Sequence, residues 1–153
     1  MPSVPPERSA ALENLNDSAL VLENPRLDIR GRTVIDRHGL EIGHVSDLFV
    51  DAGERKVRML QLRTGGFAGI GERHFLLPVD AIVGVEKHTV RVNETRERVQ
   101  NSPAYDPTLL DAPTSSLWEP YYGYYGILPY WGFGYAYPIF PSEDGPVPPV
   151  NAR

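Results

Sequence analysis

The sequence predicts a small all-β domain, a barrel or a sandwich of about six strands, followed by one short helix and an irregular aromatic tail. Three observations predict it. From Arg32 to Val92, β-branched runs alternate with turn signals at a spacing of roughly 8 to 12 residues, the rhythm of short strands. Positions 26–106 carry 13 basic and 12 acidic residues interspersed with Val, Ile and Leu, as expected of a mixed surface over an apolar interior. Eleven of the fifteen aromatic residues fall between Ser115 and Pro141, leaving Phe49, Phe67, Phe75 and Tyr105 for the rest of the chain.

The first strand runs from Arg32 to Asp36 and turns at Arg37-His38-Gly39. Glu41 to Asp51 forms a longer strand whose apolar phase slips around Gly43, which predicts a bulge. After a turn at Ala52 to Arg55, Val57 to Thr64 is the third strand. A glycine-rich loop from Gly65 to Gly71 leads to Arg73–Leu77, which stops at Pro78 because proline cannot donate to a ladder. Ile82–Val85 and Thr89–Val92 complete the set. In the last, Val90 and Val92 alternate with Thr89, Arg91 and Asn93, a strand with one wet face. Asn93 is then placed to N-cap a short helix over Glu94–Val99, and Pro103 ends it.

Charge divides the 153 residues into three parts: −3 over residues 1–25, +1 over 26–106 and −3 over 107–153. The expected organisation is a flexible N-terminal arm over 1–25, the β domain over 26–107 and a Tyr/Gly/Pro-rich tail over 108–153. A net charge of −5 argues against partners held by non-specific attraction to nucleic acid. Cysteine is absent, which excludes disulfides, thiolate metal sites and a cysteine nucleophile. Met1 to Asn24 has no basic segment leading into an apolar run, so a cytoplasmic location is expected. A β domain of about 80 residues buries only about 60–65% of its unfolded surface, so a packed tail or a second copy is expected to help cover it.

No residue set points to catalysis. His38, His44, His74 and His88 are scattered singly, without spacing that would converge on a metal, and no cofactor is expected. Asp47 and Asp51 stand four apart in one strand and could share a face, yet Asp51 precedes a glycine turn where Asp is ordinary turn chemistry. The glycine-rich loop lacks the Gly-Lys-Ser/Thr and helix of a phosphate loop, so Phe67 and Ile70 are expected either to tuck against the barrel or to meet a partner.

Several segments, in order, resemble a known family. They are Asp28 to Val34 (D-I-R-G-R-T-V), Gly39 to Asp51 (G-L-E-I-G-H-V-S-D-L-F-V-D), Arg58-Met59-Leu60, Gly65 to Gly71 (G-G-F-A-G-I-G) and Leu77 to Ile82 (L-P-V-D-A-I). Together they resemble the PRC-barrel domain, named for the cytoplasmic part of the photosynthetic reaction centre H subunit and similar to the C-terminal domain of a ribosome-maturation factor. The resemblance implies a partly open β-barrel that works as an adaptor without an active site. The E-R-V…P-x-Y-D-P segment from Glu97 to Pro107 and the aromatic tail also look like stand-alone bacterial members. Two other roles follow from the same resemblance. One is RNA or ribosome association, against which the +1 balance of the barrel counts. The other is peripheral support of a membrane complex of the photosynthetic type.

The tail is the expected contact surface. From Pro120 to Ser142 no residue is charged, and the stretch is long enough to span a bilayer, but its four prolines and seven tyrosines argue against that. Tyr and Trp offer large amphipathic contact area for few rotors. Three arrangements are open: an arm that binds a protein partner or self-associates, a cover folded over its own or a neighbour's barrel, or a segment lying on a membrane interface. The candidate partner-binding residues are Phe67, Ile70, Trp118, Tyr121, Tyr122, Tyr124, Tyr125, Tyr130, Trp131, Phe133, Tyr135 and Tyr137, acting in a homo-oligomeric adaptor. A faint repeat pairs Pro120 to Tyr124 with Pro129 to Phe133.

Overall fold

The computed structural model describes residues 12–17, 28–51, 54, 56–65, 71–103, 105 and 115–138. The strands are β1 (Leu12–Asn14), β2 (Thr33–Ile35), β3 (Glu41–Asp51), β4 (Val57–Thr64), β5 (Arg73–Pro78), β6 (Ile82–Val85) and β7 (Thr89–Val92), of which β2, β3, β4, β6 and β7 are built on β-branched residues. Two helices follow, α1 (Arg96–Gln100) and α2 (Ser115–Tyr125). The strands make one mixed sheet ordered β5-β4-β3-β2-β7-β6, with β1 on β3 outside that path. The β2–β7 pairing is parallel, Thr33 facing Thr89 and Val34 facing Val90. β5 and β6 end the path and are joined by the 3-10 turn Val79–Ala81, so the sheet curls into a barrel that is not closed.

β3 is the spine. One of its edges is taken by β4 from His44 to Val50. The other is shared between β2, opposite Glu41 to His44, and β1, opposite Phe49 to Asp51. The slip expected around Gly43 is present as two bulges: Ile42 is the extra residue against β2, and Ser46 the extra residue against β4. Gly43 itself lies flat on β4, where a Cβ would stand 2.3 Å from the Arg63 carbonyl oxygen. In the turn after β2, Gly39 has φ +82, a conformation that favours glycine, and its N–H donates to the Asp36 carbonyl.

The sheet has two buried faces. Leu48 and Val50 of β3, Leu60 and Leu62 of β4, and Phe75 and Leu77 of β5 point into the barrel core, which Val34, Val90, Val92 and Val99 complete. Their alternates Phe49, Met59 and Leu76 point outward into a second apolar cluster with Leu12, Trp118, Tyr121, Tyr122 and Tyr130. That second layer is the aromatic tail.

The structure departs from the sequence expectations at three places. The N-terminal arm, expected to be flexible, contributes β1: Leu12 and Leu15 bury their side chains, and Asn16 donates from its backbone N–H to Asp47 and from its side chain to the Ser46 carbonyl. The helix cap is Thr95 and not Asn93. The Asn93 N–H is engaged by the Ala81 carbonyl, whereas the Thr95 hydroxyl accepts from Arg98 N–H at 3.1 Å. The tail, expected to be irregular, is helical from Ser115 to Tyr125, and among the described residues that follow only 127–138 are irregular. Among the described residues, no helix is long and apolar enough to cross a membrane.

Candidate functional site

The tail covers the outer face of the barrel because its aromatic residues fall on one side of a helix. Trp118, Tyr121, Tyr122 and Tyr125 stand at i, i+3, i+4 and i+7 and are all buried, while Glu119, Pro120 and Gly123 face solvent. Trp118 packs against Phe49 of β3 with ring centroids 5.2 Å apart. α2 stops in a Schellman motif: Ile127 N–H donates to the Tyr122 carbonyl, Gly126 N–H to the Gly123 carbonyl, and Gly126 sits at φ +68. The chain then reverses at Pro129 to Gly132, where a Cβ on Gly132 would meet Leu128 Cδ1 at 2.7 Å. Residues 130–134 continue as turns and a bend, residues 135–138 have no regular structure, and the segment lies over β4 as a strap through Tyr130, Tyr135 and Tyr137.

Arg58 anchors the strap. It is the extra residue of a bulge in β4, where Phe49 faces Met59 but Val50 faces Val57. Its side chain is only 3% exposed. The guanidinium lies 4.4 Å from the centroid of Tyr130, 5.1 Å from Tyr137 and 5.7 Å from Tyr135. Nη2 donates to Asp51 at 3.2 Å and to Glu54 at 2.6 Å. Burial acts to lower the Arg58 pKa, but the neighbouring Asp51 carboxylate leads the opposing effects and the net shift is upward, so the cation is retained. Lys56 adds its ammonium 5.0 Å over Tyr137, whose hydroxyl donates to the Val57 carbonyl.

Asp80, on the 3-10 turn between β5 and β6, holds the next tyrosine. The Tyr135 hydroxyl donates to it at 2.7 Å. Burial pushes the Asp80 carboxyl above its ordinary 3.8, against this hydrogen bond. Burial also raises Tyr122, Tyr130, Tyr135 and Tyr137, and pushes Tyr125 up to about 12, so these hydroxyls stay protonated. At the far end of the cover, Arg98 Nη2 donates to the Tyr124 carbonyl and the Tyr124 hydroxyl donates to the Arg98 carbonyl.

The structure therefore spends most of the expected contact residues on the chain's own barrel. Trp118, Tyr121, Tyr122, Tyr125 and Tyr130 are buried, and Tyr124, Trp131, Tyr135 and Tyr137 are half-buried against the strap's seat. Among the described ones Phe133 is the exception: it is 103% exposed. Phe67 and Ile70 lie outside the described residues. Asp47 and Asp51 do not act as a pair. Asp47 accepts from Asn14, Asn16 and Leu48, and Asp51 accepts from Arg58 and the Glu54 N–H. The two proposed repeat copies adopt different structures, Pro120 lying inside α2 and Pro129 opening a turn. Arg58 and Asp80 escaped sequence reasoning because a charged residue beside a turn reads as solvated surface. The nearest local signal for Arg58 is its spacing from Asp51 and Glu54.

These features define a small, unclosed β-barrel with an appended aromatic layer. The PRC-barrel domain family model matches residues 26–99, and that segment of the chain belongs to the PRC-barrel family. PRC-barrel domains commonly mediate protein–protein interactions. No curated protein matches the chain.

Proposed function

We infer that this protein is a non-enzymatic assembly module that docks a protein partner, or a second copy of itself, through the apex of its aromatic strap. The carrying observation is Phe133. A fully exposed Phe adds nothing to the fold, whereas burying it at an interface contributes about 1.5–3 kcal/mol. Large aromatic anchors of this kind dominate binding energy at protein interfaces. The apex is also held in place: the strap on one side is pinned at Arg58 and Asp80, and Gly132 closes the turn under Leu128. The small charge balance of the barrel and its family membership favour a protein partner over nucleic acid.

The test compares full-length protein with Phe133→Ser, a change on a side chain that packs on nothing. Sedimentation across a concentration range and affinity capture from native lysate should both show loss of association in the variant. Unchanged mass together with an unchanged set of captured proteins overturns the role of the apex.

A further inference from the structure

The strap and α2 are attached to the barrel differently from every strand. β1 to β7 are joined by backbone ladders, whereas no ladder among the described residues joins 115–138 to the sheet. The seam is made of side chains: Tyr124 on Arg98, Tyr135 on Asp80, Tyr137 on Val57 and tyrosine rings on Arg58. It is also imperfect. The Tyr122 and Tyr130 hydroxyls are buried in it without a hydrogen-bond partner, and opening returns both to water. Beneath lie Phe49, Met59 and Leu76, all essentially inaccessible, so a barrel that opens its cover exposes a contiguous apolar face. Such a face needs a substitute cover, and the chemistry it accepts is already defined by what sits there.

We propose that residues 115–138 form a reversible strap that opens as a unit and exchanges with the same segment of a second copy of this chain. Any copy's strap carries the rings and hydroxyls that Arg58, Asp80 and the outer face receive. Residues 104–114 separate the barrel from α2, and eleven residues extend to at most roughly 36–40 Å, enough to reach a neighbouring barrel. Exchange of an identical element between protomers is a low-cost route to a dimer. The proposal deepens the self-association reading given above, and it concerns a different surface from Phe133.

Two measurements on the full chain test it. In hydrogen exchange, the described amides of 118–137 should open together and exchange on the order of 100-fold faster than those of β3 and β4. A fluorescent synthetic peptide copying residues 115–138 should bind the full chain, and Tyr135→Phe in the protein should tighten that binding about tenfold by populating the open form. Retained protection of β3 shows that the variant is folded. Strap amides as slow as those of β4, or peptide binding unchanged by Tyr135→Phe, overturn the proposal. Cooperative opening without peptide binding also overturns it, because a second copy's strap is then not the occupant. The Phe133→Ser comparison reads association at the apex, whereas these two measurements read the opening and exchange of the strap, so failure at the apex and failure of the strap are distinguishable.

Discussion

The Arg58 guanidinium stacks on the Tyr130 ring at 4.4 Å, joining a bulge in the fourth strand to the aromatic segment just beyond α2. The contact links barrel and cover through a single cation whose remaining bonds go to Asp51 and Glu54. Arg suits this place because its planar fork stacks on rings and donates in plane at once, which a lysine ammonium cannot do.

Removing that cation leaves Asp51 buried beside three tyrosines. Arg58→Ala is expected to lower stability by about 3–5 kcal/mol in urea unfolding, the cost of breaking a buried pair. Arg58→Lys should recover less than half of the loss. A change below about 1 kcal/mol in the alanine variant would show that the anchor is idle.

Asp80 sets a pH dependence of unusual sign. Its carboxyl is raised by burial, so the folded state binds this proton more tightly than the unfolded chain does. Its contribution to stability is complete below the ordinary value of 3.8 and is lost as pH rises through the raised folded value. Asp80→Asn, which keeps an acceptor for Tyr135, should flatten the pH profile in that window and hold or raise Tm at pH 7. A lower Tm at pH 7 would contradict the assignment.

Asp36 behaves in the opposite way. Burial raises it, but N–H donors from Leu40, Arg96 and His38 outweigh burial and hold its carboxyl below 3.8. The stability it supplies is present above 3.8 and lost as pH falls through the lowered value. Asp36→Ala strands three donors, one of them in the first turn of α1, and should cost about 1–3 kcal/mol at pH 7, read from chemical denaturation. Equal stability of the variant and the wild type would mean that water replaces the carboxylate.

Gly43 permits the close approach of β3 and β4. A Cβ there would overlap the Arg63 carbonyl at 2.3 Å, a backbone atom that cannot rotate away. Gly43→Ala should destabilise by about 1–3 kcal/mol or more and speed exchange of the His44 and Arg63 amides. Wild-type exchange rates in the variant would show that the strands part at no cost.

The strands were the legible part, and the reason is physical. β3, β4 and β7 end where their apolar runs meet Asp51, Gly65 and Asn93, because the turn chemistry is local. α2 was hidden by its own composition: Pro120, Gly123 and the tyrosines are poor helix formers. Its signal was nevertheless present in the spacing of Trp118, Tyr121, Tyr122 and Tyr125 and in Gly126 as a terminator. β1 is three residues long and carries no periodicity to read. The Arg58 anchor left only its spacing from Asp51 and Glu54 as a local trace, since the rings that bury it arrive from far downstream.

The late position of the cover has a consequence during synthesis. The outer face of the barrel is complete once Pro78 has been added, but α2 begins only at Ser115. At about 5–20 residues per second, roughly 2–7 s separate the two. For that interval a growing chain carries Phe49, Met59 and Leu76 without the rings of Trp118, Tyr121, Tyr122 and Tyr130, with only Leu12 and, once it is made, Tyr105 to shield them, and a chaperone or a neighbouring nascent chain meets an apolar wall that the finished molecule conceals.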